Sequence, residues 1–349
     1  GFFEIRPLFW TPTLAVTPDG GLGAAGFAAD PLFTHEIAAG AGAGASKGTP
    51  VGFAAYTWAP YRIEAQAVAW RTERLYDGQI VSADGARHDY VEWSQGAELR
   101  LGTGLAGLHR RWQASVAAGG ERVKRVAGLE RDWNDQPLLT RPRFAGVERY
   151  VEAAIAYDDT MFFPTSYARE DGNTYALRWR RSGFGGDLSG DRITANATQV
   201  VSLWPEQGWQ LVGAGVAGWS RGDDYPQGRF AIGGAAGVGL PRGYTEVESS
   251  GRNVLAWSTA FRFSLPPHSQ WFGTTPFGFR QLVAEVFYDA GQTTDDRIGG
   301  HGQWFRSAGA ELRGEWEIWL LRFAPGAGVA HLFQKNGELS PYVTLDFAY

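Results

Sequence analysis

Val91-Glu92-Trp93-Ser94-Gln95-Gly96-Ala97-Glu98-Leu99-Arg100-Leu101 alternates in character at almost every step. Val91, Trp93, Ala97, Leu99 and Leu101 share one face, and Glu92, Ser94, Glu98 and Arg100 share the other. A period of two belongs to an extended strand with one apolar and one polar side. The pattern recurs with Val147, Val151, Ala153, Ile155 and Tyr157 set against Glu148, Tyr150, Glu152 and Asp158. It recurs again with Tyr175, Leu177 and Trp179 against Thr174, Arg178 and Arg180, and with Ile63, Ala65, Ala67 and Ala69 against Glu64, Gln66 and Thr72. No segment of comparable length carries a 3.6-residue stripe, so the sequence predicts an all-β chain.

Working outward, strand candidates fall near 7–16, 20–29, 35–46, 49–59, 62–75, 90–105, 108–120, 147–161, 172–183, 193–204, 207–221, 251–265, 280–292, 303–314, 316–333 and 340–349. That is about sixteen strands, long enough to cross a bilayer when tilted by roughly 45°. Turn chemistry separates them: Pro18-Asp19-Gly20-Gly21, Asp77-Gly78, Asp84-Gly85, Asp171-Gly172 and Asn336-Gly337. Two polar stretches, 121–146 and 222–250, read as long loops. No linker or charge block divides residues 1–349, so one domain is expected, with no periplasmic domain in this chain.

Composition excludes several classes. Glycine makes up 48 of 349 residues, about twice the usual share, yet 44% of the chain is apolar, so neither collagen nor a disordered tail fits. The 32 basic and 37 acidic residues leave a formal charge of −5 and no basic field for nucleic acid. The absence of cysteine removes disulfide frameworks, thiol nucleophiles and cysteine zinc sites. It is compatible with a bacterial envelope protein. No apolar run approaches a membrane helix, but strands that cross a membrane alternate and leave mean hydropathy low, here −0.25. Only Lys47, Lys124 and Lys335 are lysines, so arginine carries the basic charge. That suits a lumen lined by arginine, glutamate and tyrosine, though genomic base composition explains it equally well.

Motifs suggestive of catalysis fail on context. Gly21-Leu22-Gly23-Ala24-Ala25-Gly26 matches a dinucleotide fingerprint but lies in a strand-like run with no following helix. Gly218-Trp219-Ser220-Arg221-Gly222 matches a nucleophile elbow, which needs a strand-to-helix turn plus a histidine and an acid. A hydrolase using Ser220 is therefore a minor reading, and no enzyme activity is expected. His35, His88, His109, His268, His301 and His331 show no metal-ligand spacing, so no metal and no cofactor are expected.

A soluble propeller would need a repeat of about 40–50 residues, and none is found. Aromatics near strand ends (Trp10, Trp58, Trp70, Trp112, Trp204, Trp219, Trp304, Trp316) suit interfacial girdles instead. In the last strand, Val343, Leu345, Phe347 and Tyr349 alternate with Tyr342, Thr344, Asp346 and Ala348, and the closing aromatic resembles the ending of bacterial outer-membrane barrels. Segment 228–312 adds Gly233-Gly234, Leu240-Pro241-Arg242-Gly243-Tyr244, a strand from Asn253 to Phe263, Val286-Phe287-Tyr288-Asp289-Ala290-Gly291 and Ser307-Ala308-Gly309-Ala310-Glu311-Leu312. This order resembles the BamA-type superfamily of outer-membrane insertases and translocation barrels, which includes the two-partner secretion transporters. Phe9-Trp10-Thr11-Pro12, Asp30-Pro31-Leu32 and His35 resemble the start of its members that follow a TolB-like periplasmic propeller.

The resemblance implies a transmembrane antiparallel barrel in the bacterial outer membrane. An extracellular loop would fold into its lumen, and Arg242 of the Arg-Gly-aromatic tip would pair with Asp289 of the Phe287-x-Asp289-x-Gly291 strand. Independently, alternation puts Leu282, Ala284, Val286 and Tyr288 on one face and Glu285, Phe287 and Asp289 on the other, facing the lumen. Pro241 stands where the family usually has a branched aliphatic, and Ala260 where it has an inward glutamate. Closure is expected between the first and last strands, with Pro7 and Pro12 unable to donate ladder hydrogen bonds and so weakening the seam. The implied function is insertion or translocation of polypeptides by strand-edge pairing through a gated lumen. Implied partners are outer-membrane lipid and lipopolysaccharide and a periplasmic or surface protein. The alternative is a passive channel, or a membrane anchor for such a partner.

Overall fold

The computed structural model describes the chain apart from residues 1–4, 14–21, 45–47, 82–86, 108–109, 126–144, 162–170, 205–207, 224–227, 234–237, 245–247, 266–269, 272–276, 298–299, 319–320 and 349. Among the described residues every regular element is a strand. They are β1 (Arg6–Thr13), β2 (Leu22–Ala29), β3 (His35–Ala43), β4 (Pro50–Trp58), β5 (Ile63–Val81), β6 (Arg87–Ala106), β7 (Arg111–Arg125), β8 (Gly146–Asp158), β9 (Gly172–Ser182) and β10 (Gly190–Trp204). There follow β11 (Trp209–Gly222), β12 (Phe230–Ile232), β13 (Ser249–Gly251), β14 (Asn253–Leu265), β15 (Gln270–Trp271), β16 (Phe277–Thr294), β17 (Phe305–Ile318), β18 (Leu321–Leu332) and β19 (Glu338–Ala348).

The main sheet has 17 strands, of which β15 is a two-residue bridge onto β16; the other sixteen form the wall of a β-barrel. Antiparallel registers run in chain order from β1 to β11, on to β14 and β16, and then through to β19. Such laddering satisfies the backbone polar groups between strands, which a lipid-exposed wall requires. The long connection 223–252 lies at the same end as 126–145 and 295–304; most connections at the other end are short, such as 30–34, 59–62 and 107–110.

Burial is inverted relative to a soluble protein. Outward positions are apolar and exposed, with Leu99 at 67% and Val343 at 84%, while inward positions include the fully buried acids Glu92 and Asp289. Trp112, Tyr157 and Tyr175 adjoin one another across β7, β8 and β9 near the short-turn end, and Trp204, Trp209 and Phe261 meet edge to face across β10, β11 and β14. Trp219, Trp257, Tyr288 and Phe333 lie toward the long-loop end. Ten residues separate Trp209 from Trp219 in β11, about 33 Å of strand at about 3.3 Å per residue, or about 25 Å along the membrane normal at a tilt of about 40°. That matches the apolar band of a transmembrane barrel.

Three local expectations need correction. Asp77-Gly78 is not a turn: β5 runs through it to Val81, with an irregular register between Tyr76 and Ile80, and Asp84-Gly85 lies outside the described residues. Trp70 is not part of a girdle, because its even parity in β5 turns it into the lumen, where it packs over Gly96. The 222–250 loop is partly structured, since β12 and β13 form a short ribbon within it. Asn336-Gly337 does turn the β18–β19 hairpin, with both φ angles positive at 53° and 76°.

Candidate functional site

The connection between β11 and β14 folds into the lumen. Phe230 and Ile232 of its ribbon, with Tyr244 near its tip, pack against Val254, Ala256, Ala260, Phe287, Phe305, Ala330 and Leu332 on the inner wall. The three alanines among these wall residues leave room for the large side chains of the loop, which Phe287, Phe305 and Leu332 flank.

The tip seats by charge. The Arg242 guanidinium grips Asp289 in a fork, Nε donating to Oδ2 at 2.9 Å and Nη2 to Oδ1 at 3.1 Å. The Arg242 backbone amide donates to the same Oδ2 at 2.9 Å, and Ser258 Oγ donates to Oδ1 at 2.6 Å. Nη1 turns to Glu285 and lies 3.6 Å from Glu311 Oε2. The Arg242 guanidinium carbon stands 3.6 Å from the centroid of the Phe287 ring, so the cation is stacked as well as paired.

The sheet register explains why a cation belongs there. Glu285 of β16 lies directly opposite Glu311 of β17, a like-charge cross-strand pair that is unfavourable alone. Arg262 donates to Glu285 Oε2 from Nε at 3.0 Å and from Nη2 at 2.8 Å, and Arg313 Nη2 donates to Glu311 at 2.7 Å. With Arg242 between them, three guanidiniums face three carboxylates, a balanced set that makes burial of charge tolerable. Tyr342 and Thr344 of β19 complete the shell by donating to Glu311 at 2.9 and 3.0 Å.

Glycine governs how close the tip comes. Gly243 has φ +89°, and a Cβ there would lie 2.5 Å from Ala330 Cβ, so both backbone and space exclude a larger residue. The Gly243 carbonyl accepts from Ser340 Oγ at 2.8 Å, and the Tyr244 hydroxyl reaches the Arg306 carbonyl at 3.0 Å and Gln334 Oε1 at 2.9 Å. Gly291 lies beneath the loop, where a Cβ would sit 2.9 Å from Ile232 Cδ1 and 3.3 Å from Pro241 Cδ. Pro241 therefore packs over it. At the loop's base, Arg229 Nη2 donates to both Asp295 oxygens at 2.8 and 2.9 Å, and the Arg252 amide donates to Oδ1 at 3.1 Å. Burial pushes the Asp295 carboxyl up, but these donors outweigh it and hold it below the usual carboxylate range.

The structure thus gathers Arg242, Gly243, Tyr244, Glu285, Phe287, Asp289 and Gly291 at one place. Sequence reasoning missed Glu311, Ser258, Arg262, Arg313 and Tyr342. For Glu311 a signal was available, because alternation in Ser307–Leu312 sets it inward beside Ser307. Ala260 occupies an inward, buried position opposite Phe287, and the acid that pairs with Arg262 comes from Glu285. Val343 faces outward; Leu345 and Phe347 lie in β19 with side chains outside the described residues, as is Tyr349 entirely. Pro7 and Pro12 lie in β1 opposite Ala28 and Ala24 of β2, with an irregularity between Pro7 and Phe9.

The other motifs resolve structurally. Gly23 and Gly26 lie within β2, with no helix following. Ser220 is a buried β11 residue whose Oγ donates to the Arg252 carbonyl at 2.9 Å, and the described chain continues into a loop rather than a helix. Asp30 caps the β2–β3 turn, accepting from the His35 amide and from Thr34 Oγ1, both at 2.8 Å.

No family model and no curated protein matches the sequence. Among solved structures, the chain is similar to BamA from Haemophilus ducreyi lacking POTRA domains 1-3, with a TM-score of 0.63 and 12% identity, over 99% of this chain and 70% of that one. It is also similar to CdiB from Escherichia coli, with a TM-score of 0.58 and 14% identity, over 99% of this chain and 62% of that one. CdiB from Acinetobacter baumannii gives a TM-score of 0.56 and 10% identity, over 98% and 65%. The chain thus spans about two thirds of the length of these structures, and at such identities the likeness is one of fold: this chain folds as the BamA and CdiB barrels do.

Proposed function

We propose that the chain is an outer-membrane barrel that inserts or translocates polypeptides, with the 223–252 loop as the gate of its lumen. The observation that carries this reading is the Arg242-Gly243-Tyr244 tip, seated on Asp289 inside a barrel with the BamA and CdiB fold. On this reading the long loops face outward from the cell, and the apolar belt contacts outer-membrane lipid and lipopolysaccharide. The β1–β19 seam is the site of strand-edge pairing, because Pro7 and Pro12 withhold two backbone donors from β1. A periplasmic or surface protein delivers the polypeptide. On this reading the barrel follows a TolB-like periplasmic propeller, which the resemblance of Phe9-Trp10-Thr11-Pro12, Asp30-Pro31-Leu32 and His35 to the start of such barrels supports.

The test is the inventory of outer-membrane and secreted polypeptides in cells lacking the protein. The proposal expects one or more to be depleted, to return with the wild type and to stay depleted with Arg242→Ala. An unchanged inventory would leave the anchor or passive-channel reading in its place.

A further inference from the structure

The loop occupies the β14–β19 side of the lumen, and the opposite side holds two cavities. One, of about 600 Å³, is lined toward the long-loop end by Glu98, Glu121, Glu148, Asp191, Asp223 and Arg221. The second, of about 570 Å³, is lined by the neutral Gln113, Ser115, Thr194 and Asn196. Both cavities are also lined by Arg100, Glu152, Arg178, Arg180 and Arg192, which therefore form a shared waist.

The waist is built into the sheet register. Arg100, Ala117, Glu152, Arg180, Arg192 and Ser220 lie directly opposite one another in sequence across β6 to β11. Arg180 thus faces Arg192, a cross-strand like-charge pair that costs stability when nothing compensates it. Two of the guanidiniums lean toward acids of the first cavity: Arg100 Nη2 is 2.9 Å from Glu98, and Arg180 Nη2 is 3.1 Å from Glu148. Arg178 projects farther into the lumen, with its side chain 60% exposed and Nε 3.4 Å from Glu152.

Charge differs between the cavities. The second is lined by four arginines and one carboxylate, net +3. The first is lined by five arginines and six carboxylates, net −1. We propose that these cavities form a water-filled route beside the seated loop that conducts small inorganic anions, with the arginine waist as its selectivity element. Fixed guanidiniums in a narrow, partly desolvated passage concentrate anions and repel cations. The proposal does not rest on the insertase reading, because it concerns the lumen with the tip in place.

The experiment is the reversal potential of single channels of the purified protein in a KCl gradient, read in the low-conductance state. The wild type should favour chloride over potassium by roughly threefold or more. Arg178→Gln with Arg192→Gln should bring the ratio to about one, whereas Arg178→Lys with Arg192→Lys should retain the anion preference. Heat-modifiable gel mobility establishes that each variant is folded, and the lysine pair provides the comparison at constant charge. A cation preference in the wild type, a ratio unchanged by the glutamine pair, or no wild-type current would overturn the proposal.

Discussion

Asp289→Asn removes one charge from the centre of the seated tip and almost no volume. Asp289 is fully buried and takes the Arg242 fork, the Arg242 backbone amide and the Ser258 hydroxyl. The asparagine keeps one acceptor oxygen but turns an amide donor toward a guanidinium that is itself only a donor. The balanced set of three guanidiniums and three carboxylates becomes three and two. Breaking a buried pair costs about 3–5 kcal/mol, and the remaining Glu285 contact with Arg242 lowers this to roughly 2–4 kcal/mol of loop seating. At about 1.4 kcal/mol per tenfold, the unseated population rises roughly 30- to 700-fold. The protein has no cysteine, so Ser307→Cys, a near-isosteric change at a fully buried position opposite Asp289, supplies a single reporter. Its labelling by a water-soluble maleimide should accelerate by that factor when Asp289→Asn is added. Equal labelling rates in both backgrounds would refute the claim that the pair holds the loop.

Other consequences are as specific. Gly243→Ala places a Cβ against Ala330 at φ +89° and should cost roughly 2–4 kcal/mol of seating, read by the same labelling and partly relieved by Ala330→Gly. Leu99→Arg puts a charge on the lipid face and should lower stability in urea unfolding from vesicles by about 2–4 kcal/mol; an unchanged midpoint would contradict the membrane assignment of that face. The Asp295 carboxyl is held below its usual range, so its stabilisation is present above the unfolded value of about 4 and is lost as pH falls through the lower folded value. Proteolysis of the loop should therefore be constant from about pH 5 to 8 and rise only below about pH 4, and Asp295→Asn should remove that acid-dependent rise.

Much of this architecture is legible because a two-residue period is a strong local signal. Leu99 and Glu98 are assigned to opposite faces by parity alone, and parity also points Glu285 and Asp289 into the lumen. Where local signals compete, the reading slips. Asp77-Gly78 has strong turn chemistry, yet the pairing of β5 with β6 on both sides carries the chain through it. Trp70 has the composition of a girdle residue and the parity of a lumenal one, and parity prevails. The site was only half legible because its remaining members are set by register. Glu311 matters because it lies opposite Glu285, and Tyr342 reaches Glu311 across Gly328, which is its cross-strand neighbour. The waist of Arg100, Glu152, Arg180 and Arg192 is set by the registers between the consecutive strands β6 to β10, and no pattern within a single strand records that alignment.

The most direct test of the central claim, that a loop held by Arg242 and Asp289 narrows the lumen, is planar-bilayer conductance of the wild type beside Arg242→Ala and Asp289→Ala. The account predicts small currents from the wild type and large, long-lived openings from both variants. Large steady wild-type currents that neither substitution changes would contradict it.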